Sequence, residues 1–202
     1  MAWPPRNDDC DMMDYPKRKH ARYRWHDYNG GFYFITICTK DKQHSFGYIA
    51  NNEIIYSEIG MVTAQNIDEI SSHWKGVEVL TSVVMPNHVH MIICIDGSIY
   101  HNNNNNDDDK ITAFDGSQVI SPSPLTATPR RGPSVGGFHS YLAVIIGGFK
   151  AGIKKYANQH GLPFEWQRGF HDHIIRDSGS FNKISDYINN NVLKWSDDCY
   201  NV

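Results

Sequence analysis

Two histidines separated by one residue lie inside a strongly apolar stretch, VVMPNHVHMIICI, which runs from Val83 to Ile95. Side chains alternate along a β-strand, so His88 and His90 project from one face and Val89 from the other. Two neighbouring neutral imidazoles can bind one divalent metal ion, and a site with only two histidine ligands leaves coordination positions open for a substrate. Such an ion could polarise a phosphate group. The alternative reading is a pair of histidines at an exposed edge of a sheet.

These histidines must be held in place by β-strands. The sequence on either side of the two histidines predicts several strands. The segment GFYFITICT, from Gly31 to Thr39, follows a Gly-Gly turn and is rich in aromatic and β-branched residues, which is typical of a strand. The segment GYIANNEIIYS predicts a short hairpin that turns at Asn51 and Asn52. Two apolar runs, GVEVLTSVVMP and HVHMIICI, are divided by Pro86, and we expect them to be antiparallel neighbours or one bent strand.

Apolar residues at helical spacing predict three helices around these strands. The first runs from Ser57 to about Ser72 and the second from about Tyr141 to His160. The third is SFNKISDYINNNVLKW, in which a serine caps the first turn. Between the last two helices, EWQRGFHDHIIRD predicts a short strand or turn. The second helix presents one apolar face, made of Leu142, Ile145, Phe149, Ile153 and Tyr156.

The composition is that of one globular domain with appendages. The chain has 202 residues, of which 40% are hydrophobic and 20% charged, and its formal net charge is −3. This balance provides no overall basic field that would attract a polyanion, although a local patch can still bind one. Residues 1 to 21 are polar and contain prolines, which predicts a flexible tail. Residues 99 to 138 are rich in Asn, Ser and Pro, which predicts a disordered insertion.

Cysteine usage and the N-terminal composition bear on the cellular compartment. The four cysteines show no CxxC spacing, which favours reduced thiols in a cytoplasmic protein. They are Cys10, Cys38, Cys94 and Cys199. The N-terminal residues contain no apolar signal-peptide core, and no run approaches the length of a membrane span. We therefore expect a cytoplasmic protein that does not enter a membrane.

The segment MPNHVHMII resembles the HUH signature (histidine, hydrophobic residue, histidine) of single-tyrosine transposases. The wider resemblance is to the REP-associated tyrosine transposases and their insertion-sequence relatives. HDYNGGFYFITICTKDKQHSFGYI is similar to the first strand and turn of that family. EWQRGFHDHIIRD and ISDYINNNVLKW are similar to the segments that close its domain. The resemblance covers roughly residues 22 to 98 and 139 to 196, within a domain that we place at residues 22 to 202.

This resemblance implies a fold and an activity. The fold would be α+β, a ferredoxin-like or RRM-like antiparallel sheet flanked by helices, and the protein would form a homodimer. His88 and His90 would hold Mg²⁺ or Mn²⁺ on a scissile phosphate of single-stranded or hairpin DNA. A tyrosine on a helix would attack that phosphate, which would give a 5′-phosphotyrosine intermediate and a free 3′-hydroxyl.

The identity of the nucleophile is open at this point. The resemblance places a tyrosine two residues after the lysine of an FKS motif, but here the segment reads FKAG and the position is Gly152. Tyr156 lies four residues later on the same helical face, so we expect it to be the nucleophile. Alternatively Tyr156 is a core or rim residue, or Tyr141 takes the role. Two rival functions follow: a domesticated protein that binds DNA without cutting it, and a metal hydrolase that uses activated water.

A third metal ligand would come from about one turn beyond the tyrosine. His160 occupies that place relative to Tyr156, with Gln159 and Asn158 as competitors. As a histidine at a helix C-terminus, His160 can also interact with the helix dipole without any metal. The closing block contains a second pair of histidines with two charged residues, which we read as buried scaffolding or DNA contacts: His171, His173, Arg176 and Asp177.

Basic and aromatic residues that could contact single-stranded DNA occur in two regions. The segment KRKHARYRWHDY interleaves them near the N-terminus, and its candidates are Arg22, Arg24 and Trp25. The second region borders the proposed nucleophile and contributes Lys150, Lys154, Lys155 and Arg168. The alternatives are a solvated tail for the first region and a solvated helix face for the second.

Overall fold

The computed structural model describes residues 30–98 and 140–201. The predicted N-terminal tail and the predicted insertion lie outside them. The strands are β1 (Gly31–Cys38), β2 (Gly47–Ala50), β3 (Glu53–Tyr56), β4 (Val77–Val84), β5 (His88–Ile95) and β6 (His171–Ile175). The helices are α1 (Glu58–His73), α2 (Tyr141–Gln159) and α3 (Ser178–Asn189), with short 3₁₀ turns at Lys40–Lys42 and Val192–Asp197. Within these residues no helix has both the length and the apolar character of a membrane span.

Four strands form one antiparallel sheet in the order β4-β5-β1-β6. With the separate hairpin β2–β3 set aside, the chain runs β-α-β-β-α-β, which is the ferredoxin-like split βαβ arrangement. The predicted α+β fold is therefore confirmed. The two apolar runs around Pro86 are antiparallel neighbours, and EWQRGFHDHIIRD contains an edge strand, β6.

Both crossover helices cover the same face of this sheet. α1 connects β1 to β4 by way of the hairpin, and α2 connects β5 to β6, each across one intervening strand. Because such crossovers are right-handed, the two helices must lie side by side on one face. The large core of the protein lies between that face and the helices, and it contains Tyr33, Ile35, Val89, Met91, Ile93, Ile145, Phe149 and Ile153.

The opposite face of the sheet is covered by α3, which follows the last strand. Its core is smaller and consists of Phe34, Ile92, Ile175, Ile184 and Ile188. The sequence predicted this helix from a serine cap to Trp195, and the structure corrects both ends. Asp177 is the cap, since its Oδ1 accepts a 2.8 Å hydrogen bond from the Ser180 backbone N–H. After Asn189 the chain turns away into the 3₁₀ segment.

The start of α1 comes unusually close to the segment that precedes the hairpin. The Ser57 side chain caps the helix by accepting a 3.1 Å hydrogen bond from the Gly60 backbone N–H. The Ser57 backbone N–H in turn donates to the Phe46 carbonyl at 2.9 Å. A Cβ at Gly60 would collide with that carbonyl, so only glycine fits there.

This close approach predicts a large cost for Gly60→Ala. The obstructing atoms are backbone and cannot rotate away, so we expect the free energy of unfolding to fall by about 3 kcal/mol or more. Urea denaturation measures it. Gly147→Ala is the matched control, because Gly147 is exposed within α2 and a Cβ there meets nothing. That change should stabilise the protein by about 0.5–1 kcal/mol. Equal stability of the two variants would contradict the close approach.

Candidate functional site

His88 and His90 lie together on the α3 face of the sheet. In register, Cys38 pairs with His88 and Thr36 with His90, and Ile92 of the α3-side core continues the same row of side chains. The two imidazole centroids are 4.4 Å apart. Both side chains are 0% exposed, and β5 is an inner strand. The alternative of two histidines at an exposed sheet edge is therefore wrong.

A polar oxygen lies beside Nδ1 of each ring. Nδ1 of His88 is 2.9 Å from Oδ1 of Asn87, and Nδ1 of His90 is 2.9 Å from Oγ1 of Thr36. Such contacts hold the rings in one orientation and leave Nε2 as the nitrogen of each ring that could bind a metal ion. Nε2 of His88 is buried and has no hydrogen-bond partner within the described residues.

Burial keeps both rings neutral. Desolvation, followed by the proximity of His90, lowers the pKa of His88 well below its usual value of 6.5. Desolvation, followed by the proximity of His171, lowers the pKa of His90 to about 3. A neutral imidazole carries the lone pair that a metal ion or a proton donor needs, so the pair is ready to bind either at neutral pH.

Two tyrosines that sequence reasoning did not select lie against the histidines. Tyr187 is on α3, and its Oη is 3.3 Å from Nε2 of His90. Tyr200 follows the 3₁₀ segment, and the centroid of its ring is 4.4 Å from that of His88. Tyr187 belongs to the block ISDYINNN, one residue before the buried Ile188, so helical spacing could have placed it on the packed face.

These residues offer a metal ion two ligands. Within residues 30–98 and 140–201, no three His, Cys, Asp or Glu side chains converge so as to hold a metal ion. Still, the buried and unpartnered Nε2 of His88, next to a second neutral imidazole, suits a divalent ion whose remaining ligands are water and substrate oxygens.

Tyr156 and His160 lie on the other side of the sheet. α2 packs on the face that carries Val89 and Met91, which is opposite the face of the histidine pair. Oη of Tyr156 donates a 2.9 Å hydrogen bond to Oε1 of Glu58, at the start of α1. The ring of His160 stacks on that of Tyr156 at 3.9 Å, at the C-terminal end of α2. The structure thus brings these two residues to each other and not to the histidine pair.

The other positions considered on α2 share this location. Gly152 is buried within the helix. Tyr141, in the first turn, donates from Oη to the Lys75 carbonyl at 3.1 Å and packs edge-on against Trp74. Asn158 and Gln159 are exposed at the C-terminal end of the helix.

The family of this chain is shown by a relative of similar length. No family model matches the chain. An uncharacterized protein of Haemophilus influenzae is 33% identical over 181 residues, which cover 89% of this chain and 88% of that protein. The chain belongs to the family of this Haemophilus protein.

Two solved structures are similar to the fold. One is a REP-associated tyrosine transposase bound to a REP hairpin, with 17% identity, a TM-score of 0.49, and coverage of 88% of this chain and 76% of that one. The other is a putative transposase from Deinococcus radiodurans R1, with 13% identity, a TM-score of 0.39, and coverage of 86% and 97%.

The predicted DNA-contacting lysines on α2 include two that hold the chain in place. Nζ of Lys150 donates to the carbonyls of Gln167 and Gly169, both at 2.7 Å, and Nζ of Lys154 donates to the Phe164 carbonyl at 2.6 Å. Burial lowers the pKa of Lys150 to about 8.

The remaining predicted DNA contacts are divided between described and undescribed parts of the chain. Lys155 is half-buried on α2, and Arg168 is exposed in the segment between α2 and β6. Arg22, Arg24 and Trp25 lie outside the described residues.

The second pair of histidines belongs to the edge strand. His171 pairs with Thr36 and His173 with Phe34, so both share the face of His88 and His90. His173 is exposed, as is Arg176, so neither is buried scaffolding. Asp177 caps α3, which accounts for its place in the closing block.

Burial of the neutral pair predicts that stability falls in acid. The unfolded chain binds protons on these histidines near pH 6.5, whereas the folded chain resists doing so down to about pH 3 at His90. Stability is therefore fully present above pH 6.5 and is lost as pH falls below it, by about 1.4 kcal/mol per pH unit for each histidine. Urea denaturation between pH 7.5 and 5 measures this loss.

The controls for this measurement are two single substitutions. His90→Gln should remove roughly half of the pH dependence, since one of the two buried imidazoles is gone. His160→Gln, at an exposed helix end, should retain it. An unchanged slope in His90→Gln would show that the ring is not buried as described.

Proposed function

We propose that this chain is a transposase-like DNA strand transferase, which cuts and rejoins single-stranded or hairpin DNA through a transient 5′-phosphotyrosine. The nucleophile in this proposal is Tyr187. The observation that carries it is the 3.3 Å approach of Tyr187 Oη to His90 Nε2, in a chain whose His-Val-His strand resembles the HUH signature. The sequence alone had suggested Tyr156, which the structure places across the sheet from the histidines.

The placement of Tyr187 suits nucleophilic attack. α3 is held to the sheet by Ile184 and Ile188, which lie on either side of Tyr187 along the packed face. The phenol is therefore carried on a rigid element next to the histidines, which reduces the entropy lost in reaching the reacting geometry. Its ring is also packed near Phe34, with the centroids 6.4 Å apart.

The proposed reaction balances without an energy source. Attack by the phenolic oxygen forms the oxygen–phosphorus bond of the phosphotyrosine and breaks the bond from phosphorus to the 3′ oxygen. The phenol proton passes to water, and the 3′ oxygen takes a proton from water as it leaves. One phosphodiester replaces another, so the reverse attack by a 3′-hydroxyl can rejoin the strand.

The metal in this proposal is Mg²⁺ or Mn²⁺, held by Nε2 of His88 and Nε2 of His90. When bound it would neutralise charge on the phosphate oxygens. Nε2 of His90 cannot hold an ion and accept a hydrogen bond from Tyr187 at the same time. The contact seen between these two residues therefore belongs to the resting protein.

A second candidate function is binding of the same DNA without cleavage. The observation in its favour is that both histidines are 0% exposed beneath Tyr187 and Tyr200, so the pair is closed to a nucleotide in this conformation.

The test is an adduct assay on single-stranded and hairpin oligonucleotides with Mn²⁺. The wild-type protein should form a covalent protein–DNA species that survives denaturing electrophoresis. Tyr187→Phe should abolish it, because the ring is kept and only the attacking oxygen is lost. Tyr156→Phe is the matched control and should retain it, since that hydroxyl contacts Glu58.

The alternative outcomes of this adduct assay each support a different function or a different nucleophile. DNA binding without an adduct in the wild type would favour the non-cleaving protein. If DNA is cleaved without an adduct, and this cleavage persists in Tyr187→Phe, a hydrolase that uses water is favoured. An adduct that persists in Tyr187→Phe and is lost in Tyr156→Phe would return the role to α2.

A further inference from the structure

Asn87 lies in the turn between β4 and β5, directly before the first histidine, and is 0% exposed. Each polar atom of its side chain has a partner. Oδ1 is 2.9 Å from Nδ1 of His88, and Nδ2 donates to the carbonyls of Lys42 at 3.2 Å and Tyr200 at 2.7 Å. Its own carbonyl accepts from the backbone and the hydroxyl of Thr39. Such a residue has little freedom to move.

The two carbonyls fix which way the amide points. A carbonyl oxygen can only accept, so the NH₂ end of Asn87 must face Lys42 and Tyr200. The oxygen end must then face His88. The opposite orientation would set the amide oxygen against two carbonyl oxygens and bury unpaired groups, at a cost of about 1–3 kcal/mol for each.

The orientation of the amide in turn sets the tautomer of His88. Oδ1 of Asn87 cannot donate, so Nδ1 of His88 must carry the hydrogen. A neutral imidazole has only one N–H, and Nε2 is therefore a bare lone pair. That atom is buried and unpartnered within the described residues, which is the state that a metal ligand requires.

The same amide also holds the segment around Tyr200 over the site. Besides the bond from Asn87 to the Tyr200 carbonyl, Nζ of Lys42 donates to the Cys199 carbonyl at 3.1 Å and lies 5.7 Å from the centroid of the Tyr200 ring. The Tyr200 ring lies against His88. Because His88 is fully buried, a phosphate can reach it only if rings that lie against it move away, and the Tyr200 ring, at 4.4 Å between centroids, is one of them.

We propose that Asn87 is a positioning residue with two linked tasks: it holds His88 in the Nδ1–H tautomer, and it fastens Tyr200 over Nε2 as a releasable cap. When Tyr200 leaves, the Lys42 carbonyl still accepts from Nδ2 of Asn87. The amide therefore keeps its orientation, and the site opens without loss of the ligand tautomer. The identity of the ligand as a divalent ion rests on the proposed function. The assignment of the His88 tautomer does not.

The first test reads the tautomer directly, by ¹⁵N NMR of the histidine rings at pH 8 without metal. The wild type should show His88 with hydrogen on Nδ1. Asn87→Asp keeps an accepting oxygen and should preserve that tautomer. Asn87→Ala removes the acceptor and should shift the ring towards the Nε2–H form. An unchanged tautomer in Asn87→Ala would overturn the positioning role. Thermal melting of each variant is the control for folding.

The second test measures, by hydrogen exchange, how firmly the segment around Tyr200 is held over His88. Asn87→Asp places an oxygen against the Tyr200 carbonyl, so the backbone amides of residues 198–201 should exchange with D₂O faster than in the wild type. Tyr200→Ala removes the ring over His88 and should leave the His88 tautomer unchanged. Unaltered exchange in Asn87→Asp would overturn the fastening role.

Mn²⁺ affinity, measured by calorimetry, links both tasks to the ligand. Asn87→Ala should weaken binding by about 10- to 100-fold, as for other residues that orient a metal-binding histidine. Asn87→Asp should recover most of that loss, and Tyr200→Ala should bind at least as tightly as the wild type. Equal affinity of Asn87→Ala and the wild type would contradict the role towards the ion.

These measurements separate the inference from the proposed function. If the wild type binds no Mn²⁺ but the tautomers respond as expected, the proposed function fails and the positioning by Asn87 stands. If the wild type binds Mn²⁺ and forms the DNA adduct while Asn87→Ala keeps the wild-type tautomer, the proposed function stands and this inference fails.

Discussion

The alternation of side chains along β5 is the constraint on which the site depends. Val89, Met91 and Ile93 take the face covered by α1 and α2, so His88 and His90 must take the other. The two crossover helices of a split βαβ fold share one face. Among residues 30–98 and 140–201, the side chains of α1 and α2 are therefore kept from the histidines, whose contacts come from the strands and turns beside them and from the chain that follows β6. Tyr187 and Tyr200 both meet that condition.

This constraint also explains how far the sequence could lead. Strand periodicity correctly placed both histidines on one face, and helical periodicity correctly delimited α1 and α2 to within about two residues. Periodicity does not determine on which side of the sheet a helix packs. The sequence favours Tyr156 because its helix follows the histidine strand and carries an apolar face. The strand order, which the sequence did not supply, puts that helix on the wrong side of the sheet for contact with His88.

The residues around the histidine pair differ in how readily the sequence pattern could have identified them. Tyr187 lies three residues after Ile184 and one before Ile188, so it borders the apolar stripe of α3 and could have been found from the pattern. Tyr200 lies beyond the last regular element, where no periodicity marks a contact. The role of Asn87 depends on carbonyls of Lys42 and Tyr200, which are 45 and 113 residues away in sequence, and only the folded chain reveals it.

The unequal cores on the two faces decide how such a site can open. Burial keeps the imidazoles neutral and their lone pairs available, but it also excludes a substrate. Since α1 and α2 pack on the large core, moving them would expose most of the apolar surface that stabilises the fold. The residues after Asn189 are held mainly by polar contacts of Lys42 and Asn87 and by aromatic packing around Trp195 and Tyr200. Displacing them exposes little of either core, so the C-terminal side is where the pair can become accessible at modest cost.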